Sequence, residues 1–146
     1  MNFITTIFQN KYITVPALAW FIAQSAKLVY SLIKFKKLDF RLLYGTGGMP
    51  SSHTGYVVSL CTVIGKSTGV DSAAFGLSFA FALVVMIDAA GVRQAAGKHA
   101  RLLNTLMSTH FPGDAFNERL KELIGHKPLE VLIGAILGVL TGALLG

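Results

Sequence analysis

The sequence predicts an all-α protein, an integral membrane helical bundle of about four transmembrane helices with an added amphipathic helix on the cytoplasmic side. Three observations predict it. Of 146 residues, 53% are hydrophobic and only 14% charged, where a soluble domain carries roughly 25% charged residues. Mean hydropathy is +0.59. The apolar residues are gathered into runs approaching the roughly 20 residues that a membrane helix needs, separated by short polar turns. The chain reads as one domain, residues 1–146. It carries 13 Lys plus Arg against 7 Asp plus Glu, a net charge of +6. This excess flanks the apolar runs, so it fits anionic headgroups and membrane orientation, and no nucleic-acid partner is expected. Cys61 is the single cysteine, which excludes an internal disulfide and a Cys-based zinc site.

The elements follow in order. Residues 1–11 place Phe3, Ile4, Ile7 and Phe8 at helical spacing, the mark of an interfacial segment, and lack the basic start of a cleaved signal. The first span runs from about Ile13 to Ile33. Lys27 lies within it, where a cation is costly unless it is paired, functional or snorkelling to the interface. Lys34, Lys36, Lys37 and Arg41 follow directly. The second span, Gly55 to Ile64, is short and reaches membrane length only with Ser51–His53 and Lys66 included; a helix buried among others tolerates this. The third covers Ser72 to Ile87 and runs into Asp88. Residues 92–126 form a cytoplasmic-side helical insertion, amphipathic and broken at Phe111-Pro112-Gly113. The fourth is Leu129 to Gly146. The basic clusters after the first and third spans fall on one side in a four-span chain. The positive-inside rule makes that side cytoplasmic and leaves both termini outside. In the last span Gly134, Gly138, Gly142 and Gly146 repeat every four residues and make one smooth face, suited to packing within the chain or to a homodimer.

Two clusters carry chemistry. The first is Gly47-Gly-Met-Pro-Ser-Ser-His-Thr54. Glycine and proline set a turn, Ser51, Ser52 and Thr54 are of the type that caps a helix, and a helix start gathers anions on its free N–H groups. His53 adds a group that exchanges a proton near neutral pH. The second is Asp88-Ala-Ala-Gly-Val-Arg93-Gln-Ala-Ala-Gly-Lys98-His99. Arg93 is a bidentate phosphate ligand, with Lys98 and His99 one and a half turns along a helix. Together these residues make a phosphoryl-transfer site that requires no metal or other cofactor. Asp88 is either the ion-pair partner of Arg93 or Lys98 or a proton acceptor. His126, before Pro128 and Glu130 at the mouth of the last span, is either a third active-site histidine or a helix-entry residue. His110 beside Phe111-Pro112-Gly113 has the character of loop punctuation.

Pro-Ser-Ser-His followed by Arg-x5-His resembles the type 2 phosphatidic acid phosphatase and vanadium haloperoxidase superfamily. More closely, the chain resembles its small divergent membrane branch. The matching stretches are Gly47–Thr54, Asp88–Lys98 with Ala100 and Asn104, Gly125–Val131, and Ala19-Trp20 through Gln24 and Lys27. The resemblance implies a metal-free phosphatase in which His99 attacks phosphorus and His53 protonates the leaving oxygen. Ser52, Arg93 and the amides near His53 would hold the phosphate. The parent pattern opens with Lys-x6-Arg-Pro, which Lys36, Lys37 and Arg41 do not reproduce, leaving Lys27 as a rival for the lysine role. It also has an aspartate four residues after the nucleophile, where this chain has Leu103; Asp88, Asn104 or Glu130 is then the candidate to orient His99.

The expected function is hydrolysis of a lipid phosphate through a phosphohistidine in a bacterial cell membrane. Phosphatidate, phosphatidylglycerophosphate and a polyprenyl phosphate or pyrophosphate are the candidate substrates. The alternative is a non-catalytic protein that binds or translocates anionic phospholipid on the same cradle. A packing subunit built on the glycine face would leave both polar clusters without a use.

Overall fold

A computed structural model describes residues 2–36, 48–110, 120, 122 and 125–146. The described residues are all-helical. A short α1 (Phe3–Gln9) is followed by α2 (Lys11–Phe35), α3 (Ser52–Thr68), α4 (Ala73–Ala90), α5 (Val92–His110) and α6 (Pro128–Leu145). The helix starts obey simple capping chemistry. Asn10 accepts from the Tyr12 amide, Ser51 from Thr54 and Ser72 from Phe75, each satisfying a donor that the first turn leaves without a partner. Lys37 and Arg41, and the break at Phe111-Pro112-Gly113, lie outside the described residues.

Three stretches are long and apolar enough to cross a membrane: Lys11–Ile33, Ala73–Thr109, which takes in α4 and most of α5, and Pro128–Leu145. The expected second span, α3, is 17 residues long and is not one of them. It is instead the axis of the bundle, packed against α2, α4 and α6. Its buried residues, Ser52, Thr54, Gly55, Val57, Ser59, Cys61 and Val63, are mostly small, and Ser52, Thr54 and Ser59 are polar. The large apolar side chains point outward: Phe21, Leu77, Phe79, Phe81, Val84, Leu132 and Leu140 are all exposed. A soluble fold inverts this arrangement, whereas membrane bundles gain stability by close backbone approach between small residues and leave the bulk to lipid.

The glycine repeat of α6 is where that approach is closest. A Cβ at Gly134 would stand 2.5 Å from the Ser51 carbonyl oxygen, one at Gly138 2.7 Å from that of Gly55, and one at Gly142 2.8 Å from that of Ser59. The face is therefore covered by α3 of the same chain, and the two helices run parallel. Helix α2 is antiparallel to α3, since Ala19 lies against Gly55 while Lys27 reaches Ser52. Helix α4 is antiparallel as well, with Phe75 against Gly65. At the far end Lys66 donates to the Ala143 carbonyl at 2.7 Å, a cation closing the C-terminal end of α6. The end of α2 and the starts of α3 and α6 thus meet at one end of the bundle, with the end of α4.

Candidate functional site

At that end the backbone itself is tied together. The Ser51 amide donates to the Glu130 carbonyl at 3.0 Å, and the His126 amide donates to the Ala89 carbonyl at 2.9 Å. Gly125 makes the second bond feasible. It has φ +89°, and a Cβ there would stand 2.5 Å from the Gln94 nitrogen, so the loop lies flat on the start of α5. Two helix N-termini, of α3 and α6, are thereby brought side by side with their positive ends at the same place.

Lys27 enters from α2. It is 2% exposed, and its Nζ donates to Ser52 Oγ at 3.3 Å. A buried ammonium costs several kcal/mol unless compensated, and one hydroxyl is a meagre partner for three donors. Its side chain is buried beside Ser52 and does not extend to the surface, as snorkelling would require. Ser51 is also buried, but its hydroxyl is occupied by capping: it accepts from the Thr54 amide at 3.4 Å and from Thr54 Oγ1 at 3.0 Å. The amides of Ser52 and His53 make no hydrogen bond among the described residues and are the donors left free at the start of α3.

His53 follows Ser52 on the first turn. The titratable groups near enough to act on it are Arg93, His126, Lys27 and Asp88. Arg93 donates from Nε to Asp88 Oδ2 at 2.5 Å, with the two side chains 44% and 38% exposed. Asp88 is thus an ion-pair partner bridging the end of α4 and the start of α5.

His126 is 3% exposed. Its Nδ1 lies 3.1 Å from Glu130 Oε2, which also accepts the Lys127 amide at 3.2 Å. Its Nε2 has no hydrogen-bond partner among the described residues, although the backbone of Gly48 adjoins the ring. Burial pushes the imidazole below its ordinary value of 6.5; the Glu130 bond opposes this without reversing it, and Lys27 adds to it. The ring is therefore neutral at pH 7. A carboxylate only accepts, so Nδ1 carries the hydrogen and Nε2 the lone pair.

The remaining expected residues lie apart. Lys98 and His99 are exposed on α5. His99 makes no hydrogen bond or ion pair among the described residues, and its charge is not among those acting on His53. None of the three groups considered as orienters of His99 is bonded to it: Asp88 holds Arg93, Glu130 holds His126, and Asn104 holds the Leu120 backbone and Glu122. The structure brings together Lys27, Ser52, His53, Asp88, Arg93, His126 and Glu130. The signal that would have raised His126 in the sequence is its spacing to Glu130. An acid in the first turn of a helix can reach back to the residues just before it, as Glu130 does to His126 and to the Lys127 amide.

His53 has a second neighbourhood. With Tyr56 and Val57 of α3, Ala17 and Trp20 of α2, and Phe81 and Val85 of α4, it lines a cavity of about 440 Å³. Apart from the His53 ring, the Tyr56 hydroxyl and the Trp20 indole N–H, the lining side chains are apolar. Trp20 and Phe81 are themselves exposed, so the cavity is an open groove on the outer surface of the bundle, and His53 stands between it and the polar cluster.

A family model described as "Divergent PAP2 family" matches residues 8–141. An uncharacterized membrane protein of Bacillus subtilis (strain 168), YuiD, is 41% identical over 130 residues, covering 81% of this chain and 82% of that protein. No solved structure matches the chain.

Proposed function

The chain belongs to the divergent PAP2 family, and on that footing we propose that it is a membrane-embedded phosphatase that hydrolyses a lipid phosphate through a phosphohistidine, with His53 as the proton donor to the leaving oxygen. The observation that carries this reading is the double position of His53. On one side are the Lys27 ammonium, the Ser52 hydroxyl, the Arg93 guanidinium and the free amides at the start of α3, the donors that a phosphoryl group needs. On the other is a cavity of about 440 Å³ lined by Trp20, Tyr56 and Phe81, within the size range of small-molecule pockets and suited to an apolar tail. A soluble phosphate ester has no use for the second compartment. No metal is needed in this reading, because cationic side chains and amides neutralise the charge that develops on the phosphoryl oxygens.

In this reading α3 also crosses the bilayer as a fourth span, short and semi-polar because α2, α4 and α6 screen it from lipid. The basic residues Arg93, Lys98 and Arg101 make the site end cytoplasmic and put both termini outside. The start of α5, with Lys98 on its exposed surface, lies at the headgroup level and draws anionic substrate in.

The test is phosphate release by the purified protein in nanodiscs. Dioleoyl phosphatidate, phosphatidylglycerophosphate and undecaprenyl phosphate or pyrophosphate are offered beside glycerol 3-phosphate. Turnover of one lipid, lost in His53→Ala and absent for the soluble ester, is the expected result. Equal turnover of glycerol 3-phosphate, or full activity in His53→Ala, refutes the reading. A second reading, binding or translocation of anionic phospholipid without cleavage, is favoured by the Arg93–Asp88 bond, which already engages the guanidinium. It predicts lipid retention with no phosphate release.

A further inference from the structure

We propose that His126 is the nucleophile of this site, its Nε2 attacking phosphorus while Glu130 holds the ring from the other side. The inference rests on the phosphatase reading and names the attacking group within it. Resemblance alone gives that role to His99, but the physical requirements of an attacking imidazole are met at His126.

An imidazole attacks through an unprotonated nitrogen, so the opposite nitrogen must carry the hydrogen and be held by an acceptor. Glu130 Oε2 does this at 3.1 Å from Nδ1. The carboxylate is itself fixed by the Lys127 amide within the capping of α6. It also stabilises the positive charge that the ring acquires when Nε2 bonds to phosphorus. The attacking nitrogen must be available, and Nε2 is a buried polar atom that makes no well-formed hydrogen bond among the described residues, with the Gly48 backbone adjoining the ring. Such an atom costs about 1–3 kcal/mol in a finished fold, and it is explained if a ligand completes it. Its neighbourhood is the right one: His126 lies within the electrostatic reach of both His53 and Lys27, and the backbone bond from Ser51 to Glu130 ties its helix to the phosphate-binding turn. His99 has none of these. It is exposed, no carboxylate holds it, and Leu103 occupies the position one turn further on.

The chemistry balances. The Nε2 lone pair forms a bond to phosphorus as the bond from phosphorus to the ester oxygen breaks. The electron pair leaves on that oxygen, which takes the proton of His53, and the lipid alcohol departs. A water molecule then attacks phosphorus, giving its proton to the now neutral His53. The bond from phosphorus to Nε2 breaks, its electron pair returns to the ring, and inorganic phosphate leaves. The sum is ester plus water to alcohol plus phosphate, with both histidines restored.

The experiment uses the full chain in nanodiscs with whichever of the four lipid phosphates it turns over, labelled with ³²P. The reaction is quenched in alkali, which preserves phosphohistidine, and the modified residue is mapped by mass spectrometry. Label on His126 is expected, with turnover in His126→Gln reduced at least a thousandfold. Since His126→Gln is a change at a buried position, Glu130→Gln supplies a second measurement. Its amide oxygen still accepts from Nδ1 but carries no charge, so kcat should fall at least tenfold and up to about 10⁴-fold, the loss seen when the carboxylate behind a catalytic histidine becomes an amide. KM and the thermal midpoint should change little. Label on His99, or His126→Gln within fivefold of wild type, overturns the inference and leaves the phosphatase reading standing. Absence of phosphate release from every lipid offered overturns both.

Discussion

Replacing Gly134 by alanine should separate the machinery of the site from the stability of the bundle. The new Cβ would stand 2.5 Å from the Ser51 carbonyl oxygen and 3.2 Å from the Thr54 Cβ, whereas ordinary contact begins at 3.4 Å. The oxygen belongs to backbone at a helix start and cannot swing away, so α6 must retreat by almost 1 Å. Overpacking of this kind costs typically about 1–3 kcal/mol. Gly142→Ala meets the same obstacle at the far end, 2.7 Å from Thr62 Cβ and 2.8 Å from the Ser59 carbonyl oxygen, and should cost a similar amount. The two variants differ in what moves. Gly134 is one turn from Glu130, so its retreat carries His126 and Glu130 away from Ser52. A displacement near 1 Å in a catalytic constellation costs on the order of 10²-fold in rate. Gly76→Ala in α4 has nothing within 4 Å of the new Cβ and gains helix propensity, so it should stabilise by about 0.5–1 kcal/mol. The assay is the thermal midpoint of the detergent-solubilised protein beside phosphate release per folded molecule. Equal activity losses in the Gly134 and Gly142 variants, or a neutral midpoint for either, would refute the parallel α3–α6 seam as the support of the site.

Three further outcomes follow from the geometry. Lys27→Met removes a buried cation held by one hydroxyl; the fold should be as stable or gain about 1 kcal/mol, since apolar replacement of buried charge is often neutral or stabilising, while half-saturation by substrate rises at least tenfold. Asp88→Asn breaks an ion pair whose members are both well exposed, worth about 0–1 kcal/mol; the midpoint should stay within a few degrees while the freed Arg93 lowers the KM for lipid phosphate. Acid should destabilise the protein through His126. Its folded value lies below the ordinary 6.5, so between the two the unfolded chain binds more protons, and stability is complete above pH 6.5 and declines as pH falls toward the folded value. A midpoint measured from pH 8 to 5 should show this decline in wild type and a shallower one in His126→Gln.

The glycine spacing in the last span was legible because a four-residue period on a helix can only be a face; what covers it was not, since a neighbouring helix and a second chain demand the same smoothness. Lys27 stood out by cost alone, a cation within an apolar span, but sequence does not say whether a stem of four methylenes ends at the interface or at Ser52. Helix α3 shows the reverse case. Its turn of Gly, Pro, Ser, Ser and His announced an anion site, yet its 17 residues are set by burial within the bundle rather than by membrane thickness, so length gave no guide. The competition between His99 and His126 was beyond reach because the distinction is exposure, and a helix leaving a membrane surface gives its histidine the same local sequence whether that face turns toward the bundle or away. The four-residue spacing of His126 and Glu130 was there to be read; what makes it informative is the burial of Nε2, which depends on how α6 packs against its neighbours.

The seam between α3 and α6 also works as a ruler. Because glycine recurs every fourth residue, the next register in which small residues again oppose the α3 backbone lies four residues away, about 6 Å at 1.5 Å per residue. Every intermediate register puts a residue with a side chain, from Ala135 to Ile136 or Leu137, against carbonyl oxygens that tolerate no Cβ. Sliding is therefore discontinuous, and the first step takes Glu130 out of reach of the Ser51 amide it now accepts from. The two halves of the polar cluster are either fully assembled or a whole turn apart. The spacing that decides this is kept in the interior of the bundle, along residues that take no part in the chemistry.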